Sequence, residues 1–118
     1  MVKIEQLAEA ALSGESLLLR SLTQDFLRDY PALNLYPRPQ TADQRLLAAA
    51  ASLIELFASR LKQTPPPWTK DVGPLPEPMF LLKSAASMKR LRVLCETQAP
   101  EPLRKRGFYA PPNFLEFA

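Results

Sequence analysis

Thr41-Ala42-Asp43-Gln44-Arg45-Leu46-Leu47-Ala48-Ala49-Ala50-Ala51-Ser52-Leu53-Ile54-Glu55-Leu56-Phe57-Ala58-Ser59-Arg60-Leu61-Lys62 is the stretch from which the fold is read. Leu46, Leu47, Ala50, Leu53, Ile54, Phe57, Ala58 and Leu61 recur at helical spacing and line one broad apolar face. Arg45, Ser52, Glu55, Ser59 and Lys62 fall opposite and are expected in water. Alanines 48 to 51 favour helix and let a neighbouring helix approach closely. Thr41 to Gln44 has the form of a capping box, with a hydroxyl at the cap and an amide three residues on. Pro65-Pro66-Pro67 cannot continue a helix. This segment is therefore expected to be the central core helix of an all-α fold.

Upstream, Ile4, Leu7, Ala8 and Ala11 share one face of a short first helix, with Glu5, Gln6 and Glu9 facing water. Ser13-Gly14 interrupts it, and Ser13 is expected to cap a second helix with Glu15 in its first turn. That helix carries Leu18, Leu19, Leu22, Phe26 and Tyr30, and Pro31 stops it. Tyr36-Pro37-Arg38-Pro39 reads as an extended connector, because residues before proline avoid the helical region.

Downstream the pattern breaks up. Trp68 to Pro78 is expected to be extended or turn-like, with Gly73-Pro74 as its reversal. Met79-Phe80-Leu81-Leu82 fits either a short strand or the start of a turn. From Ser84 or Ser87, Met88, Leu91, Leu94 and Cys95 fit one face of a helix, with Lys89, Arg90 and Arg92 outside. Pro100 or Pro102 suits the first turn of another short helix that Gly107 would close. Asn113 is placed to cap a last turn holding Phe114 and Phe117. The expectation is a single domain over 1–118: a bundle of four to five helices with a proline-rich connector. Its 1–64 half is the helical core, and its 65–118 half, rich in proline and aromatics, packs on it.

Composition restricts the chemistry. The chain has 118 residues, no histidine and one cysteine, so triads and cysteine–histidine dyads lack their general base and no intrachain disulfide can form. The three glycines make no phosphate loop, and zinc spacing is absent. Neither catalytic residues nor a metal or other cofactor are expected. Cys95 lies near Arg90 and Arg92, yet falls on an apolar face where cysteine is an ordinary small hydrophobe. Glu5 with Glu9, and Asp25 with Asp29, share helix faces; Arg28 beside the latter pair favours a solvated surface over a metal site. A lone cysteine, no long apolar run and no signal-peptide pattern lead to an expectation of a cytoplasmic protein with no membrane partner.

Net charge is +3, and residues 65–118 hold the whole excess, with eight Lys or Arg against five Asp or Glu. That is too little to argue nucleic-acid binding from field strength alone. Arg104-Lys105-Arg106 precedes Phe108-Tyr109, which fits contact with single-stranded nucleic acid or a basic last turn that complements a helix dipole or pairs with Glu101. Trp68, flanked by prolines, fits either a rigid hot spot or a ring folded back over the core.

The pattern of Trp68, Gly73-Pro74-Leu75-Pro76-Glu77-Pro78-Met79-Phe80, Leu91, Ala99-Pro100, Leu103-Arg104-Lys105-Arg106-Gly107, Leu115 and Ala118 resembles a family of small uncharacterised bacterial proteins. They share a W…LPEPxF…RRRGxY ending and are often encoded beside a nucleotidyltransferase-like protein. The resemblance covers roughly residues 65–118 and implies an antitoxin-like, non-enzymatic partner protein. It makes Trp68, Phe80, Arg104, Arg106 and Tyr109 candidates for structural or partner-contact roles. The alternative is a nucleic-acid-binding regulator using Lys89, Arg90, Arg92, Arg104, Lys105 and Arg106. The expected partner is another protein, the nucleotidyltransferase-like neighbour being the candidate, with a homodimer also open because alanine-rich helices pack closely.

Overall fold

The computed structural model of the chain describes residues 2–81, 88–112 and 114–115. Within them lie five α-helices: α1 (Ile4–Leu12), α2 (Ser16–Asp29), α3 (Gln44–Arg60), α4 (Lys89–Gln98) and α5 (Glu101–Arg104). A two-stranded parallel sheet joins β1 (Met79–Phe80) to β2 (Phe108–Tyr109), Met79 opposite Phe108 and Phe80 opposite Tyr109. Turns of 3-10 helix occupy Leu33–Leu35 and Pro67–Asp71. The fold is thus small and mostly α-helical. Leu82, Ser84, Ser87, Asn113, Phe117 and Ala118, which entered the sequence reading, lie outside the described residues.

α3 is the centre, packed against α1, α5 and the Pro67–Asp71 turn. Neighbours on several sides change its expected character. Every residue from Ala48 to Ala58 is buried, Ser52 and Glu55 included, so the water-facing stripe drawn through them is corrected. The stripe was too narrow to reach solvent once α5 covered it; a helix apolar nearly all round is an interior helix. Leu61, read as part of the apolar face, lies just past the helix end and is exposed.

The helix ends also depart from the reading. Asp43, not Thr41, caps α3: its Oδ1 accepts the N–H groups of Arg45 at 2.9 Å and Leu46 at 3.3 Å. Thr41 Oγ1 instead accepts the Asp43 N–H at 3.1 Å. Ser13 closes α1 rather than opening α2. Gly14 follows it at φ 72°, where the Glu15 N–H reaches Ala10 O at 3.0 Å and the Gly14 N–H reaches Ala11 O at 3.2 Å. These two bonds form the Schellman arrangement. α3 stops the same way, with Lys62 at φ 57° and the Gln63 N–H bonded to Ala58 O at 2.8 Å, before the proline run is reached.

α1 packs on both α2 and α3, burying Ile4, Leu7, Ala8 and Ala11 as expected. α2 buries a narrower stripe than expected, Leu19, Thr23 and Phe26, and leaves Leu18 exposed. An aromatic cluster fills the space between α2, the 36–39 connector and α3. Phe26 lies 5.0 Å from Tyr30, 5.1 Å from Tyr36 and 6.4 Å from Phe57, centroid to centroid. Such pairs each add about 0.5–1.5 kcal/mol beyond burial. Tyr36 Oη accepts the otherwise open Ile4 N–H at 3.0 Å, fixing the start of α1. Gln63 joins the end of α3 to the 31–33 turn, accepting from Leu33 N–H at 3.0 Å and donating to Pro31 O at 2.8 Å.

Candidate interaction surface

The Arg104-Lys105-Arg106 triplet emerges from α5, and its three side chains take different roles. Arg106 is only 3% exposed. Its guanidinium donates from Nη1 to Glu55 Oε1, from Nε to Val72 O at 3.2 Å and from Nη2 to Thr69 O at 2.6 Å. A planar fork with five donors suits this work; a lysine would not. One side chain thereby joins α3, the 3-10 turn and the chain leading into β2. Lys105 Nζ brings a second cation to the same carboxylate, 3.0 Å from Glu55 Oε1 and 3.1 Å from Oε2, while staying half in water. Arg104 is exposed and donates to Thr97 O at 3.2 Å, linking α5 back to α4.

Glu55, 8% exposed, is the other half of this clamp. Burial alone would raise its carboxyl pKa. Hydrogen bonds from Arg106 and Lys105, together with their charges, outweigh that and hold it below the ordinary glutamate value. The carboxylate is therefore ionised at neutral pH, and removing Arg106 would leave it in the interior without its buried partner. Arg106, expected at a contact surface, belongs to the interior.

The remaining candidates separate into two places. Trp68 lies in the Pro67–Asp71 turn, the turn-like of the two expected forms, and is half-buried against the core. Its Nε1 donates to Tyr36 O at 2.8 Å, so the ring closes the aromatic cluster. Phe80 and Tyr109 meet across the sheet with centroids 5.5 Å apart, and the Arg92 guanidinium lies 5.6 Å from the Phe80 centroid. The sheet exists because Gly107, at φ 87°, lets the chain turn out of α5. Its carbonyl accepts the Met79 N–H at 2.7 Å, and Tyr109 O accepts the Leu81 N–H at 3.0 Å. Phe108 beneath is fully buried. The Arg92 guanidinium ties α4 to the sheet, and the Arg104 bond to Thr97 O ties it to α5.

α4 itself is barely seated. Of its residues only Cys95 is buried. Leu91 and Leu94 are half-covered, while Met88 at the cap is 55% exposed and Val93 is 51% exposed. Lys89, Arg90 and Arg92 are all exposed, as expected; Arg92 pairs with Glu96 at 3.2 Å. The first turn of α4 holds no acidic residue and the Met88 cap provides no side-chain acceptor, so Lys89 and Arg90 stand against the positive end of the helix dipole. Burial, with the Glu96 charge adding to it, pushes the Cys95 thiol pKa up, so it is a packed, protonated group.

Elsewhere, Arg28 lies 3.5 Å from both Asp25 and Asp29. Among the described residues no group of three or more Cys, Asp or Glu is placed to hold a metal ion. No described helix is long and apolar enough to cross a membrane. A groove of about 580 Å³ lies between the start of α3 and residues 75–79. Its acidic lining residues are Asp43, already committed to capping, and Glu77.

Glu55 is the residue the sequence reading misplaced. The signal was present: it is the only charged side chain from Leu46 to Ser59, and a glutamate in such a run needs a basic partner. Which of the fifteen basic residues supplies it could not be read from spacing. Comparison of the chain with family models, with curated proteins and with solved structures returns no match.

Proposed function

We propose that this protein is a non-enzymatic protein-interaction module that presents α4 and the adjoining Phe80–Tyr109 edge to a partner. The observation that carries the reading is the state of α4: one buried residue in a helix that nevertheless keeps Met88 and Val93 in water. A small helix gains most of its stability from tertiary packing, and this one leaves much of its apolar surface uncovered. Arg92 over the Phe80 ring and the Arg104 bond to Thr97 O tie it to the sheet and to α5, which reduces the ordering required on binding. The absence of histidine and the protonated Cys95 supply no nucleophile–base pair.

The resemblance of residues 65–118 to small bacterial proteins supports an antitoxin-like pairing with a nucleotidyltransferase-like neighbour in a cytoplasmic setting. Light scattering behind size exclusion, on the chain alone and co-expressed with the protein encoded beside it, tests this. A defined heteromeric mass is the expected result. A monomer or homodimer unchanged by co-expression would contradict it.

Nucleic-acid binding is the second reading, favoured by Lys89, Arg90 and Arg92 lying exposed on one short helix. It is the weaker one, because Arg106 is buried and Lys105 is paired to Glu55, which removes two of its six residues from phosphate contact.

A further inference from the structure

We infer that the outward face of α4 receives an acidic, amphipathic segment of a partner protein, its carboxylates paired by Lys89 and Arg90 and its apolar side chains packed on Val93. This rests on the interaction-module reading and adds the partner's chemistry.

Lys89 and Arg90 precede Val93 by four and three residues, so the three side chains share one helix face a turn apart. Val93 is half in water at the centre of that face. Neither cation forms an ion pair among the described residues, whereas Arg92 is engaged by Glu96 and by the Phe80 ring. Within the free chain the two cations only disfavour the start of α4, where unpaired N–H groups and the positive dipole end already gather. A carboxylate placed there answers both the cations and the helix terminus. Local cost without local benefit is what a surface shaped for a binding partner carries.

The charge selects among occupants. A second copy packed parallel would set Lys89 and Arg90 against their own counterparts, and one packed antiparallel would offer them only Glu96, already held by Arg92. Nucleic acid would find two uncommitted cations around an aliphatic centre, not stackable rings, and therefore few phosphate contacts. An acidic protein segment with leucine-like side chains satisfies both the charge and the apolar centre.

The test titrates the full chain with a labelled helical peptide carrying glutamate and leucine on one face. The same peptide with lysine for glutamate, and poly-uridine RNA, serve as controls. The wild type is expected to bind the glutamate peptide about tenfold or more tightly than the Lys89→Glu/Arg90→Glu variant, with no binding of the lysine peptide. Carboxylates in the first turn suit the dipole, so this variant should melt no lower than the wild type, and lost affinity will not reflect unfolding. Val93→Ser, with both cations intact, should weaken the same complex a few-fold.

Equal binding by wild type and charge-reversed variant, or none by either, overturns the inference. So does tight binding of poly-uridine that the reversal abolishes, which would give the face to nucleic acid. Introduced into the co-expressed pair, the reversal separates the two levels. A heteromer that forms and survives it overturns this inference alone, and the lack of any heteromer removes the module reading as well.

Discussion

The two halves of the molecule are held by different forces. Residues 2–64 close around α3 through apolar and aromatic contact: Ile4, Leu7, Phe26, Leu53 and Ile54 are all fully buried. Among the described residues, 65–81 and 88–112 have fewer large apolar anchors, chiefly Leu81, Leu103 and Phe108, and rely on a buried ion pair and a two-residue sheet. The first arrangement is non-directional and tolerates repacking. The second is directional, since one guanidinium fixes the positions of α3, the Pro67–Asp71 turn and α5 at once. A region built this way can be rigid around Arg106 while α4, tied to it through Arg104 and to the sheet through Arg92, stays sparsely covered.

The largest expected break in this comparison is Arg106→Ala. It leaves Glu55 buried without its main partner, a loss of about 3–5 kcal/mol in urea unfolding. The double variant Glu55→Leu/Arg106→Met should recover most of that, because no charge remains in the interior. A double variant as unstable as the single one would mean that packing, not charge, holds the second half.

The pH dependence sharpens the same point. Glu55 in the folded state binds its proton less readily than in the unfolded chain. Its contribution is therefore fully present above the unfolded glutamate value of about 4.3 and is lost as pH falls through the lower folded value. Thermal stability should decline over that acid window in the wild type, and this part of the decline should be missing in the double variant.

Smaller effects fall in the first half and at its border. Trp68→Phe keeps the ring but loses the bond to Tyr36 O, at a cost of about 0.5–1.5 kcal/mol by thermal melting. Lys62→Gly relieves a non-glycine residue at φ 57° and should stabilise the chain by about 1 kcal/mol. A destabilised Lys62→Gly would show that the lysine stem contributes packing beyond its backbone role.

What the sequence made legible follows the same division. The helices of the first half were visible because their cores repeat at helical spacing, and α4 was visible from Leu91, Leu94 and Cys95. The helix ends were missed where a side chain two residues from the expected one took the cap, as Asp43 did in place of Thr41. The clamp was hidden because Glu55 and Arg106 stand 51 residues apart, a separation no local pattern encodes. Arg106 looked like one of three surface cations for the same reason. Trp68 was readable only as two alternatives, and its bond to Tyr36, across 32 residues, is one that no local pattern encodes.

The most direct measurement is amide hydrogen exchange of the free wild-type chain, read helix by helix. Free energies of opening differ across a structure according to buried contact. The account predicts that α3 amides exchange slowest and α4 amides far faster, with α5 and the sheet between them. Protection of α4 equal to that of α3 would contradict it, because a helix so well held would have no face left waiting for a partner.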